Sequence, residues 1–200
     1  MKQRFKSGIK YGAIDFETAY WGPGSACSLG IVMSDGEKIT EEWYRLIKPK
    51  SMNFDKGCMR VNGIHPEDVE NEKPFSVYWE EVAEYLEGRI IFAHNAPFDM
   101  GVLASALDVY DLPDISFLYG DTVSLSRTLW KELPNHKLNT VAEHLGFEFR
   151  HHQAMDDARA CELIVRKAME MTEAETVETM MDALQVPLKS FVVKRKNCKK

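Results

Sequence analysis

The sequence predicts a single α/β domain with a five-stranded mixed sheet flanked by helices. Three observations carry that reading. Three apolar, β-prone runs separated by turn residues open the chain, a short and wholly apolar run recurs at Arg89–Ala93, and stretches with helical spacing fill most of the remaining chain. A composition 44% hydrophobic and 28% charged over 200 residues suits one soluble domain with a sizeable core.

Strand one spans Tyr11 to Thr18. Gly22-Pro23-Gly24 marks a loop, and Ala26 to Met33 is strand two. Ser34-Asp35-Gly36-Glu37 reads as a hairpin turn into strand three, from about Lys38 to Ile47, so the first three strands form an antiparallel meander. The region from Lys50 to Lys73 is loop-rich, with a short helix near His65–Val69. Pro74 opens a helix whose apolar face includes Val77, Val82, Tyr85 and Leu86, and Gly88 stops it. Arg89–Ala93, apolar throughout, is a strand buried on both faces. Asn95 or Ala96 then caps a helix with Pro97 in its first turn, reaching about Leu107. A weaker fifth strand lies near Ile115–Tyr119. Helices follow at Thr122–Trp130, Leu138–Leu145, Ala154–Met171 and around Val177–Leu184.

Within strand one, Asp15 and Glu17 interrupt an apolar run. Residues two apart on a strand face the same way, roughly 7 Å apart, and two like charges there resist burial. Acid-x-acid spacing also occurs at Asp35/Glu37, Asp68/Glu70, Glu70/Glu72 and Glu173/Glu175, but those pairs sit in polar stretches. A hard divalent cation held by carboxylate oxygens is the simplest partner for Asp15 and Glu17. The helical crossover from the meander to strand four makes strand one the point where strand order reverses, and ligands of open α/β sheets bind outside the carboxyl ends of such strands. Asp99, just past strand four, therefore converges on the pair, although an acid in the first turn of a helix also suits the helix dipole.

His152 and Asp157 offer a histidine and a further acid. Five residues on one helix put them roughly 140° off a common face, so they share a site only if His152 lies in the loop before the helix. Surface histidines and ordinary first-turn acids are the competing reading.

In order along the chain, Asp15-Phe16-Glu17-Thr18, His94-Asn95-Ala96-Pro97-Phe98-Asp99 and His152-x-Ala154-x-x-Asp157-Ala158 match D-x-E-T, H-N-A-x-F-D and H-x-A-x-x-D-A. This pattern resembles the DEDDh, or DnaQ-like, family of 3′-to-5′ exonucleases, which includes the epsilon subunit of DNA polymerase III, RNase T and oligoribonuclease. Asn62-Gly63-Ile64 with Pro74, Asp121-Thr122 and Lys137-Leu138-Asn139-Thr140-Val141 extend the likeness over about residues 10–170. It implies an RNase H-like fold and metal-dependent release of nucleoside 5′-monophosphates from a 3′ end, with DNA favoured and RNA or very short oligonucleotides as the alternative. A catalytically silent binding module on the same fold is a third reading.

The resemblance further implies two divalent metal ions, Mg²⁺ or Mn²⁺, held by Asp15, Glu17, Asp99 and Asp157, with His152 rather than His151 as general base. Phe16, Thr18 and Asn95 would contact substrate, His94 would be structural, and Phe98 would pack in the core. Tyr20 or Trp21 could stack on a base or, equally, cover the core as a loop aromatic; the chain reads Thr18-Ala19-Tyr20-Trp21 where many relatives read T-T-G. The partner is the 3′ end of a single-stranded nucleic acid. A DNA polymerase subunit is implied as a second partner, although the chain shows no recognisable docking motif.

A net charge of −6 excludes a broad cationic surface for nucleic acid. Four cysteines without C-x-x-C pairing, no leading apolar segment and no membrane-length run read as a cytoplasmic chain. The boundaries read as an exonuclease domain over 1–187 and a basic tail over 188–200, whose last twelve residues carry six basic side chains.

Overall fold

The structure is a computed structural model describing residues 10–148 and 152–193. His151, set aside above as a base, lies outside the described residues, as do Lys194, Arg195, Lys196, Lys199 and Lys200 of the basic tail.

The meander forms as expected: β1 (Tyr11–Thr18), β2 (Ala26–Ser34) and β3 (Ile39–Leu46) pair antiparallel. Next come α1 (Lys56–Asn62), α2 (Pro66–Val69) and α3 (Phe75–Leu86), which lead into β4 (Ile90–Ala93), parallel to β1. After α4 (Ala96–Val109), β5 (Leu118–Asp121) adds parallel to β4. The remaining elements are α5 (Thr122–Leu129), α6 (Leu138–His144), α7 (Ala154–Thr172), α8 (Val177–Ala183) and β6 (Lys189–Ser190).

The sheet has six strands, ordered β3-β2-β1-β4-β5-β6, rather than five. β6 is two exposed residues paired antiparallel to β5. Phe191, just beyond it, stacks on Phe117 at 4.6 Å between centroids. That aromatic pair fixes a strand too short and too polar to carry a hydrophobic pattern. β5 also begins later than expected: Ile115 and Phe117 are buried, yet ladder pairing starts at Leu118. Apolar character marked their burial and not their pairing. On α3, Val77 is exposed while Phe75, Trp79, Val82 and Leu86 pack inward, so the buried stripe is offset from the one expected.

Alternation along β1 divides the core. Ile14 and Phe16 face α3 and α4, joining Leu29, Ile31, Phe75, Trp79, Met100 and Leu103. Tyr11 and Ala13 face the other way, joining Val32, Ala158, Cys161 and Val165 beneath α7. Asp15 and Glu17 share the parity of Tyr11 and Ala13 and so lie on the α7 side.

Two features hold α7 against the meander. Glu162, buried within α7, accepts hydrogen bonds from Tyr11 Oη at 3.0 Å and Ser34 Oγ at 2.8 Å. At the other end Gly30, paired with Asp15, lets the helix backbone come close: a Cβ there would overlap the Ala154 carbonyl and lie 2.7 Å from Met155 Cα. The missing side chain of Gly30 sets how near the first turn of α7, with Asp157, approaches Asp15.

Candidate active site

Four segments meet at the carboxyl ends of β1 and β4. Glu17, Asp99 and Asp157 are 8%, 1% and 3% exposed, and Asp15 is half-buried. One side-chain ligand atom from each of Glu17, His152 and Asp157 lies within 4.8 Å of the others. Asp99 reaches the strand from α4, and its Oδ1 accepts the Phe16 N–H at 2.9 Å.

His152 lies outside α7, as sharing a site with Asp157 requires. Its backbone is left-handed, with φ of 66°, and its N–H donates to Asp157 Oδ2 at 3.1 Å. Loop histidine and helix carboxylate are thereby held together from opposite sides of the helix start.

Burial pushes the Asp15 carboxyl well above its ordinary value, and the negative charges of Asp99, Asp157 and Glu17 push it the same way. Burial likewise raises Asp99, against the lowering effect of backbone N–H groups including that of Phe16, while Glu17 and Asp157 add to the rise. The charges acting most on both groups are thus negative, and the groups opposing them are backbone amides rather than lysine or arginine. Buried all-oxygen donors of this kind suit hard divalent cations such as Mg²⁺ and Mn²⁺.

The surroundings are set by Asp121 and His94. Asp121 Oδ1 accepts the N–H groups of Asn95 and Ala96 at 3.0 and 3.2 Å, and its Oδ2 accepts Ser124 Oγ at 2.8 Å, so one carboxylate joins the starts of α4 and α5. Asn95 sits at φ 68° before α4, a left-handed position that asparagine tolerates, and makes no side-chain cap. The His94 imidazole bridges Thr122 Oγ1 and the His136 carbonyl, both at 2.9 Å, which fits a structural role.

A cleft of about 900 Å³ opens over the acids. Trp21, Val61 and Phe98 supply exposed apolar surface, with Trp21 78% and Phe98 37% exposed, so Phe98 is not a core residue. Arg127, Asn135, Lys137 and Asn139 supply polar and basic lining from α5, the loop after it and α6. Asn95 and Thr18 also line the cleft. The Phe16 ring packs instead against Phe75 in the core, leaving the cleft its backbone. Tyr20 Oη donates within its own loop to Pro23 or Gly24, while the Trp21 ring projects outward. Arg127 and Asn135 were not singled out in the sequence; only the position of Arg127 on the polar side of α5 marks it.

Residues 13–164 match the exonuclease family named for RNase T. The chain is 33% identical over 188 residues to a PolC-type DNA polymerase III of Thermotoga maritima, covering 89% of this chain and 14% of that protein. It is also 33% identical over 177 residues to the 3′-5′ exonuclease DinG of Bacillus subtilis, covering 84% of this chain and 18% of the relative. It therefore spans under a fifth of the length of these relatives. The fold resembles the nuclease domain of 3′hExo, a DEDDh family member bound to rAMP, with a TM-score of 0.64 at 18% identity, covering 92% of this chain and 98% of the other.

Proposed function

The chain belongs to the exonuclease family named for RNase T, and on that premise we propose that it is a 3′-5′ exonuclease of the DEDDh type, which removes nucleoside 5′-monophosphates from the 3′ end of single-stranded DNA by a two-metal reaction. The observation that carries this is the convergence of Glu17, His152 and Asp157 within 4.8 Å, beside the mutually interacting Asp15 and Asp99.

Asp15, Glu17, Asp99 and Asp157 would hold two divalent ions, Mg²⁺ or Mn²⁺. Such ions supply a lowered pKa for a water nucleophile and neutralise the charge that develops on the departing 3′ oxygen. His152 takes the proton from the attacking water, the role suited to an imidazole near neutral pH. The Asp157 carboxylate holds the His152 backbone by the 3.1 Å bond, which fixes where the imidazole starts. The Asp99 bond to Phe16 N–H fixes the end of β1 relative to α4. On the substrate side, Trp21 and Phe98 offer apolar faces to the terminal bases, while Arg127 and Lys137 offer charge to phosphates. Thr18 and Asn95 contact the terminal nucleotide.

The PolC-type relative favours DNA and a polymerase subunit as partner. We place the catalytic domain at 1–187 and the basic tail after it, with Lys189 and Ser190 of the tail contributing the edge strand. Among the described residues no helix is long and apolar enough to cross a membrane.

The deciding experiment is product analysis on matched 3′-labelled DNA and RNA strands with Mg²⁺. Nucleoside 5′-monophosphates released faster from DNA support the proposal. Nucleoside 3′-monophosphates would overturn the chemistry, and faster release from RNA would move the substrate to RNA.

A further inference from the structure

Arg127 is exposed on the last turn of α5 and is common to the catalytic cleft and to a second groove of about 300 Å³. The second groove runs to the sheet edge past Tyr119 of β5, Ser124 and Thr128 of α5, and Lys189 of β6. Asp121 also borders it, but that carboxylate is already engaged by four backbone N–H groups and the Ser124 hydroxyl. Among the described residues, no carboxylate lies within salt-bridge distance of Arg127 or Lys189. In a chain of net charge −6, what sets Arg127 and Lys189 apart is that both border one groove and that Arg127 also borders the catalytic cleft; the sequence continues beyond Lys189 with five more basic residues.

We propose that this groove binds backbone phosphates of the substrate strand on the 5′ side of the nucleotide being removed, with Lys189 and Arg127 leading a single-stranded polynucleotide into the cleft. The inference rests on the reading of the cleft as a 3′-exonuclease centre. If the 3′-terminal nucleotide sits over the acids, every other nucleotide lies 5′ of it and must leave the cleft. The groove that shares Arg127 with the cleft offers a way out lined by cations and hydroxyls, and Tyr119 adds an aromatic face on which a base can stack. Cations that neutralise phosphates displace counterions, so their contribution weakens as salt rises.

The test compares wild type with Lys189→Ala and Lys189→Glu on the p-nitrophenyl ester of thymidine 5′-monophosphate and on oligothymidylates from two to about a dozen nucleotides. Lys189 is exposed, and unchanged melting temperatures check that both variants fold. For wild type, KM falls as the substrate lengthens. In Lys189→Glu the KM for the longest strand rises several-fold, while the ester, the dinucleotide and kcat are unaffected. In Lys189→Ala the slope of log KM against log salt is shallower by about 0.7, the value for one phosphate contact on a single strand. Equal length dependence in all three proteins overturns the inference, as does a loss on the ester as large as that on the longest strand. Failure of wild type to hydrolyse either substrate with Mg²⁺ or Mn²⁺ removes the reading of the cleft itself.

Discussion

The Phe16 N–H donates to Asp99 Oδ1 at 2.9 Å, tying the strand that carries Asp15 and Glu17 to the first turn of α4. Because Asp99 is nearly fully buried, its charge and its hydrogen-bond acceptor can be separated by substitution. Asp99→Asn keeps an acceptor for Phe16 and removes a like charge. Asp99→Ala leaves a buried N–H without its partner, at a cost of about 1–3 kcal/mol. Thermal denaturation in EDTA should therefore rank Asp99→Ala clearly below Asp99→Asn, with both inactive. Equal melting temperatures would show that the bond does not contribute to stability.

The raised carboxyls of Asp15 and Asp99 make the metal-free protein sensitive to pH. Both sit above the ordinary value of 3.8 in the folded chain, so between that value and the raised ones the folded state binds more protons than the unfolded state. Stability then falls as pH rises through that window and is lowest above it. In EDTA, the melting temperature of wild type should decline relative to Asp15→Asn as pH rises above the ordinary carboxylate value. Mg²⁺ at a hundred times its dissociation constant should restore about 2.7 kcal/mol. A difference between the two proteins that does not change with pH would contradict this.

Gly30 is the contact through which α7 reaches the acids. In Gly30→Ala the new methyl meets helix backbone, which cannot rotate away as a side chain can. The substitution should cost about 1–3 kcal/mol, and by displacing Asp157 about 1 Å it should lower kcat by about a hundredfold. Chemical denaturation and single-turnover kinetics measure the two effects. Wild-type activity in a stable Gly30→Ala protein would show that the approach of α7 is not critical.

Trp21 is exposed, whereas Trp43, Trp79 and Trp130 are buried. Stacking on a base is worth about 1–3 kcal/mol, so Trp21→Ala should raise KM roughly five- to a hundredfold with a smaller change in kcat. Oligonucleotide should quench the emission of wild type, and that quenching should vanish in the variant. Quenching that persists would move base contact elsewhere.

Much of the site was legible in the sequence because its chemistry sits in local patterns. Asp15 and Glu17 stood out as charges in an apolar strand, and β4 as an unbroken run of apolar residues. The five-residue spacing of His152 and Asp157 meant that the two could share a site only with the histidine off the helix. Other features depend on contacts between distant residues. α1 has Cys58 as its one buried residue, so it shows no periodicity. β6 is held by Phe191 on Phe117, across more than seventy residues. Phe98 reads as a core side chain by its aromatic character alone, yet it lines the cleft from the first turn of α4.

The central claim, that the clustered acids and His152 hydrolyse a 3′ end with divalent metal, is tested most directly by a time course on 5′-labelled single strands with Mg²⁺, Mn²⁺ or EDTA, comparing wild type with Asp15→Ala and His152→Ala. The account predicts a ladder shortening from the 3′ end in either metal and no cleavage in EDTA or with Asp15→Ala. With His152→Ala it predicts a rate lower by about 10²–10⁴-fold. Cleavage that continues in EDTA, or full activity in Asp15→Ala, would contradict it.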